Sequence, residues 1–134
     1  MKIAVVGGRK FQDYDFLRTT LNAFNKRRGI DWIVSGGAVG ADTLAERWAR
    51  EVEILGYTVY LPQWSIDGER AGYRRNLRIV ESSEIVIAFL HPTSKGTLHS
   101  IKLAKKLGVG CIECYSPLYY PGSEQMYKLI GSIK

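Results

Sequence analysis

Asp31-Trp32-Ile33-Val34-Ser35-Gly36-Gly37-Ala38-Val39-Gly40-Ala41-Asp42 runs from an aromatic and β-branched segment straight through three glycines into a helical pattern. Asp31 to Ser35 reads as a strand. Asp42 to Leu55 repeats apolar residues at Leu44, Ala45, Trp48, Val52 and Leu55, and Gly56 closes that helix. A strand, a glycine turn and a helix followed by the strand Tyr57 to Leu61 make one βαβ unit. Such a unit places the two strands parallel.

The same alternation continues on both sides. Lys2 to Val6 is a β-branched strand ending in Gly7-Gly8, and Tyr14 to Arg28 carries Phe16, Leu17, Leu21 and Phe24 at helical spacing, with Asp13 or Asp15 able to cap it. Pro62 stops the third strand, and Gln63 to Gly72 reads as a loop. Tyr73 to Val80 is helical, Glu84 to Leu90 is a continuous apolar strand, and a helix from about Thr97 to Leu107 leads through Gly108 to Val109–Cys114. Strands apolar on both faces and separated by helices predict an α/β fold: a Rossmann-like three-layer αβα sandwich around a mostly parallel sheet of about five strands. One domain is expected over 1–134, with a core of about 1–114. The tail, 115–134, is rich in Tyr and Pro and holds a short helix from Glu124 to Ile130.

At 134 residues the chain is long enough for a core without disulfides or metal. The opening apolar run is too short for a signal peptide, and no apolar stretch spans a bilayer. A cytoplasmic protein with no membrane partner is expected. Cys111 and Cys114 sit in a strand, where residues three apart face opposite ways, so they read as buried structural thiols in a reducing compartment. His91 and His99 have no cysteine or clustered acid beside them, and neither a metal nor a cofactor is expected. Nineteen Lys and Arg against thirteen Asp and Glu give a net charge of +6, which suits an anionic partner.

In a sheet of this kind ligands sit at the carboxyl ends of the strands, and four ends carry unusual residues. Gly7-Gly8-Arg9 allows close backbone approach and offers a guanidinium fork for phosphate. Ser35-Gly36-Gly37-Ala38-Val39-Gly40-Ala41-Asp42 exposes backbone N–H groups at a helix start. It is no Walker loop, since no Gly-Lys-Ser/Thr follows. Asp42 either caps the helix or turns toward sugar hydroxyls. Glu46, one turn on, could act with Asp42, or pair with Arg50 on the helix surface. Arg75 and Asn76 lie in a basic run with Arg70, Arg74 and Arg78, and Trp64 and Tyr73 could stack on a base or cover the core edge. Lys95-Gly96-Thr97 is a second phosphate cradle, with Thr97 as cap or ligand contact.

These blocks, together with Leu44-Ala45-Glu46-Arg47-Trp48-Ala49 and Ala71-Gly72, resemble the YspA/YpsA-related branch of the SLOG superfamily. That Rossmann-like group includes Smf/DprA and the Lonely Guy phosphoribohydrolases. The resemblance covers about residues 1 to 114. It implies a nucleotide-derived ligand held by Gly7, Gly8, Arg9, Ser35, Gly36, Gly37, Gly40, Ala41, Asp42, Arg75, Asn76, Gly96 and Thr97. Lonely Guy enzymes carry Pro-Gly-Gly-x-Gly-Thr-x-x-Glu. Here Pro92-Thr93-Ser94-Lys95-Gly96-Thr97-Leu98-His99-Ser100 puts serine where that glutamate assists glycosidic cleavage.

The leading expectation is a binder of a nucleotide or ADP-ribose-like ligand, acting as sensor, carrier or sequestering protein. The alternative is a nucleoside 5′-monophosphate phosphoribohydrolase of Lonely Guy type, with Asp42 and Glu46 as candidate catalytic residues. The third is a DNA-binding module, whose affinity would fall steeply with salt. Tyr115, Tyr119, Tyr120 and Tyr127 offer aromatic surface for a homo-oligomer.

Overall fold

A computed structural model describes residues 1–132. Ile133 and Lys134, the end of the expected tail, lie outside the described residues. The chain order is β1 (Lys2–Gly7), α1 (Tyr14–Arg28), β2 (Trp32–Ser35), α2 (Ala41–Val52), β3 (Gly56–Val59), α3 (Trp64–Asp67), a 3-10 turn (Gly68–Arg70), α4 (Ala71–Glu81), β4 (Ile85–Phe89), α5 (Lys95–Leu107), β5 (Gly110–Cys114) and β6 (Tyr127–Ile130). The sheet order is β3-β2-β1-β4-β5-β6. β1 to β5 are parallel, and β6 runs antiparallel to β5. The order reverses between β1 and β4, so a crevice opens at their carboxyl ends.

Alternation along the central strands divides the core between two faces. Ile3 and Val5 of β1 and Ile85, Ile87 and Phe89 of β4 pack with Leu17, Leu21 and Phe24 of α1 and with Ala45, Trp48 and Ala49 of α2. Ala4 and Val6, with Val86 and Ala88, face Ile79 and Val80 of α4 and Ile101 and Ala104 of α5. The three-layer sandwich is therefore as the sequence predicts. Asp13 is the cap of α1, its Oδ1 accepting the Phe16 N–H at 3.1 Å. Among the described residues no helix is long and apolar enough to cross a membrane.

The sheet has six strands where about five are expected, the sixth coming from the tail. Three readings are corrected. The expected helix from Glu124 to Ile130 is β6, because β5 would otherwise be an open edge and its backbone groups pair with Tyr127–Ile130 (Cys111 opposite Ile130, Cys114 opposite Tyr127). The expected loop Gln63–Gly72 contains α3 and the 3-10 turn, tied down by Asp67, whose carboxylate meets Arg74 at 3.6 Å and Arg78 at 3.3 Å. The helix expected to run to Leu55 stops at Val52, where Glu53 takes the left-handed conformation at φ 57°.

The tail packs on the sheet edge. Tyr127 stacks on Phe16 with ring centroids 5.6 Å apart, and its hydroxyl lies 2.8 Å from Thr20 Oγ1. Cys111 and Cys114 are free and fully buried, on opposite faces of the sheet. Burial pushes the Cys111 thiol up to about 12, and Cys114 moves in the same direction for the same reason. A thiol reagent at pH 8 is expected to label neither cysteine in the folded protein and both in urea. Labelling of the folded protein at the unfolded rate would contradict this burial.

Candidate functional site

The crevice at the switch point is a cleft of about 450 Å³, within the usual range for small-molecule sites. The loop after β1 supplies Gly7, Gly8, Arg9 and Lys10, and the loop after β2 supplies Gly36 and Ala38. Helix α2 adds Asp42, α4 adds Arg75 and Asn76, and the start of α5 adds Ser94, Lys95, Gly96, Thr97 and Ser100. Sequence reading thus singles out the loops that meet at this cleft.

It does not find the right reason for every glycine. At Gly7 a Cβ would run into Ala41 and lie 2.8 Å from the Phe89 carbonyl oxygen. At Gly8 it would stand 2.5 Å from Ser94 Oγ. These two residues let the β1 loop, α2 and the β4 loop close on each other, while both also line the cleft. Gly96 differs: nothing lies within 4 Å of a Cβ there, so space at the start of α5 stays open. Ser35, Gly37, Gly40 and Ala41 do not line the cleft; they brace the residues that do. Ser35 and Ala41 are buried, and a Cβ on Gly37 would strike Val59 at 2.6 Å.

Asp42 neither caps α2 nor points to solvent. Gly40 is the cap residue, without a side-chain bond, and the buried Asp42 carboxylate turns back on the preceding loop. Its Oδ2 accepts the Gly36 N–H at 3.1 Å and the Ala38 N–H at 3.2 Å. Burial pushes its pKa up to about 6, although the Ala38 N–H, the Arg75 guanidinium and the Gly36 N–H all pull the other way. Arg75, half-buried, donates from Nη1 to the Gly36 carbonyl at 2.9 Å and from Nε to Asn76 Oδ1 at 3.0 Å. Desolvation lowers its pKa, opposed by Asp42 and aided by Arg9. Arg75 therefore ties α4 to the β2 loop and keeps a charge at the cleft wall.

Glu46 is not brought to the cleft. It faces Arg50 at 3.8 Å on the surface of α2, as the ion-pair alternative expects. Trp64 is 62% exposed on α3 and outside the cleft lining. Lys95 of the expected cradle lines the cleft, and so do Lys10, Ser94 and Ser100, which the sequence reading did not name as site residues. The signal for Ser94 and Ser100 was the Lys-Gly-Thr block itself, which they flank. Among the described residues Arg9, Lys10, Arg75 and Lys95 give the lining four cations, against the single carboxylate of Asp42. The N–H groups of Gly96 and Thr97 fall in the helical turn that has no intrahelical acceptor. The lining is thus electropositive.

Comparison with known proteins gives the following likenesses. The family model for the YspA, cpYpsA-related SLOG family matches residues 1–65. The Gene 61 protein of Mycobacterium phage D29 is 35% identical over 85 residues, covering 60% of this chain and 68% of the phage protein. A solved structure of DNA processing protein A from Helicobacter pylori, described for its unique single-stranded DNA binding mode, superposes with a TM-score of 0.59 at 21% identity. That match covers 87% of this chain, which spans 66% of the other. It shows a shared fold.

Proposed function

The chain belongs to the YspA, cpYpsA-related SLOG family, and we propose that its cleft binds the phosphate of a nucleotide-derived ligand. The observation that carries this reading is the lining itself, in which Arg9, Lys10, Arg75 and Lys95 share one cleft with the first turn of α5. Phosphate would meet the Gly96 and Thr97 N–H groups, Thr97 Oγ1 and the Arg75 guanidinium, and the open space at Gly96 admits it. The protein acts as a binder rather than a hydrolase in this reading. Asp42 is the one carboxylate lining the cleft among the described residues, and it is engaged with two loop N–H groups. Ser100, at the position of the Lonely Guy glutamate, lines the cleft and cannot supply a charge.

Calorimetric titration with AMP, ADP, ADP-ribose and NAD, each mixture then run on chromatography, tests this. At least one is expected to bind and to be recovered intact. Arg75→Gln is expected to weaken that ligand by about tenfold or more, as loss of a charged hydrogen-bond donor to phosphate does. Release of free base would move the assignment to hydrolysis and to Asp42. Equal affinity of the variant would remove Arg75 from the site.

A second reading is favoured by the likeness to the Helicobacter pylori protein: the same basic lining would hold the backbone of single-stranded DNA. Its signature is an oligonucleotide affinity that falls linearly on a log–log plot against salt. A free nucleotide that binds in preference to any oligonucleotide argues against it.

A further inference from the structure

Tyr73 stands on the first turn of α4 with 52% of its surface exposed, its ring centroid 4.3 Å from that of His99 on α5. Its ring therefore backs onto an imidazole rather than filling the core, and both rings lie outside the cleft lining. Asn76 follows three residues later, on the same side of the helix, and lines the cleft.

The amide of Asn76 is oriented by its neighbours. Arg75 Nε can only donate, so Asn76 Oδ1 faces it at 3.0 Å. Nδ2 is then the atom 3.0 Å from His99 Nδ1, which must accept, leaving the imidazole proton on Nε2. That Nε2 is buried without a hydrogen-bond partner among the described residues. A phenyl ring would escape this cost, so what the imidazole adds is the acceptor that orients Asn76. One Nδ2–H and one Oδ1 lone pair of Asn76 are spent inside the protein, and one of each is left over. A donor and an acceptor side by side on an amide match the N6 and N7 edge of adenine.

We propose that Tyr73, Asn76 and His99 form an adenine subsite beside the phosphate cradle, so that the cleft takes an adenosine 5′-phosphate. The base lies on the Tyr73 ring and its N6/N7 edge meets Asn76. The spacing agrees: His99 follows Lys95 by four residues, just over one helical turn or about 6 Å along α5, which leaves the length of a ribose between phosphate and base. This assignment rests on the phosphate reading of the cleft.

Titration of the wild-type protein with AMP, IMP and ribose 5-phosphate separates the two. AMP is expected to bind about tenfold or more tighter than ribose 5-phosphate, the scale of one stacked base. IMP, which lacks the N6 amine, falls between them. Tyr73→Ala brings AMP down to the ribose 5-phosphate level and leaves ribose 5-phosphate unchanged, while Tyr73→Phe keeps the preference. Melting curves of both variants check that the fold is intact, which the exposure of Tyr73 leads one to expect. If ribose 5-phosphate binds as well as AMP, or Tyr73→Ala lowers both equally, the base subsite is overturned and the phosphate cradle stands. Equal affinity for AMP and IMP overturns the adenine assignment. If no probe binds, the phosphate reading fails and takes the subsite with it.

Discussion

Gly40→Ala is expected to remove about 2–6 kcal/mol of stability, the sum of roughly 1–3 for a strained backbone and roughly 1–3 for overpacking. Gly40 sits at φ 91° and ψ −131°, at the start of α2. A Cβ there would overlap the Gly8 carbonyl oxygen and stand 2.6 Å from that of Arg9. Both are backbone atoms, so no rotamer change relieves the clash. The Gly8 carbonyl is also the acceptor for the Phe11 N–H at 3.1 Å and the Ala41 N–H at 3.3 Å. Moving it would loosen the β1 loop and the first turn of α2 together. Against a typical total stability of about 5–15 kcal/mol, the loss is large. Urea unfolding measures it, with Gly96→Ala as the companion variant. Gly96 has an ordinary helical environment and nothing within 4 Å of a Cβ, so that change is expected to stay within about 0.5 kcal/mol. A loss below about 1 kcal/mol for Gly40→Ala would mean that the loops yield where their packing here does not.

The contrast between these glycines marks how far the sequence could be read. The alternation of strands and helices was legible because the central strands are apolar on both faces and the helices repeat on one. The loops at the strand ends were legible as glycine and arginine clusters. What a glycine accommodates was not, since Gly40 touches Gly8 and Arg9, thirty residues away in the chain, and nothing local records that contact. The same holds for Asn76, whose amide is oriented by His99 across two helices. The tail failed for a related reason. Tyr127–Ile130 is mostly exposed, so it has no buried face to give a period, and it is a strand only because β5 offers it an edge. Asp42 lies in the expected turn, but of its two expected roles the cap is not the one it takes. Its carboxylate reaches back to Gly36 and Ala38, a geometry set by the glycine loop and not by the capping rule.

That carboxylate should also make stability fall as pH rises from about 4 to about 6. In the unfolded chain Asp42 titrates near its ordinary 3.8, and in the folded protein near 6. Between those values the folded state holds a proton that the unfolded state has lost, so raising pH favours unfolding. The benefit of the protonated form is full below the unfolded pKa and gone once pH passes the folded one. A shift of about two units corresponds to roughly 2–3 kcal/mol between pH 4 and pH 8. Other groups contribute too, and Glu51 acts with the opposite sign, being held below its ordinary range by hydrogen bonds from Tyr14 and Arg47. The difference between wild type and Asp42→Asn isolates the effect. Asparagine Oδ1 can accept both loop N–H groups and carries no charge to desolvate. The stability of Asp42→Asn relative to wild type should therefore improve by roughly 2–3 kcal/mol on going from pH 4 to pH 8, with most of the change below pH 7. A difference that stays flat across that range would show that Asp42 is as well solvated in the folded protein as in the unfolded chain, and that its bonds to Gly36 and Ala38 offset its burial in full.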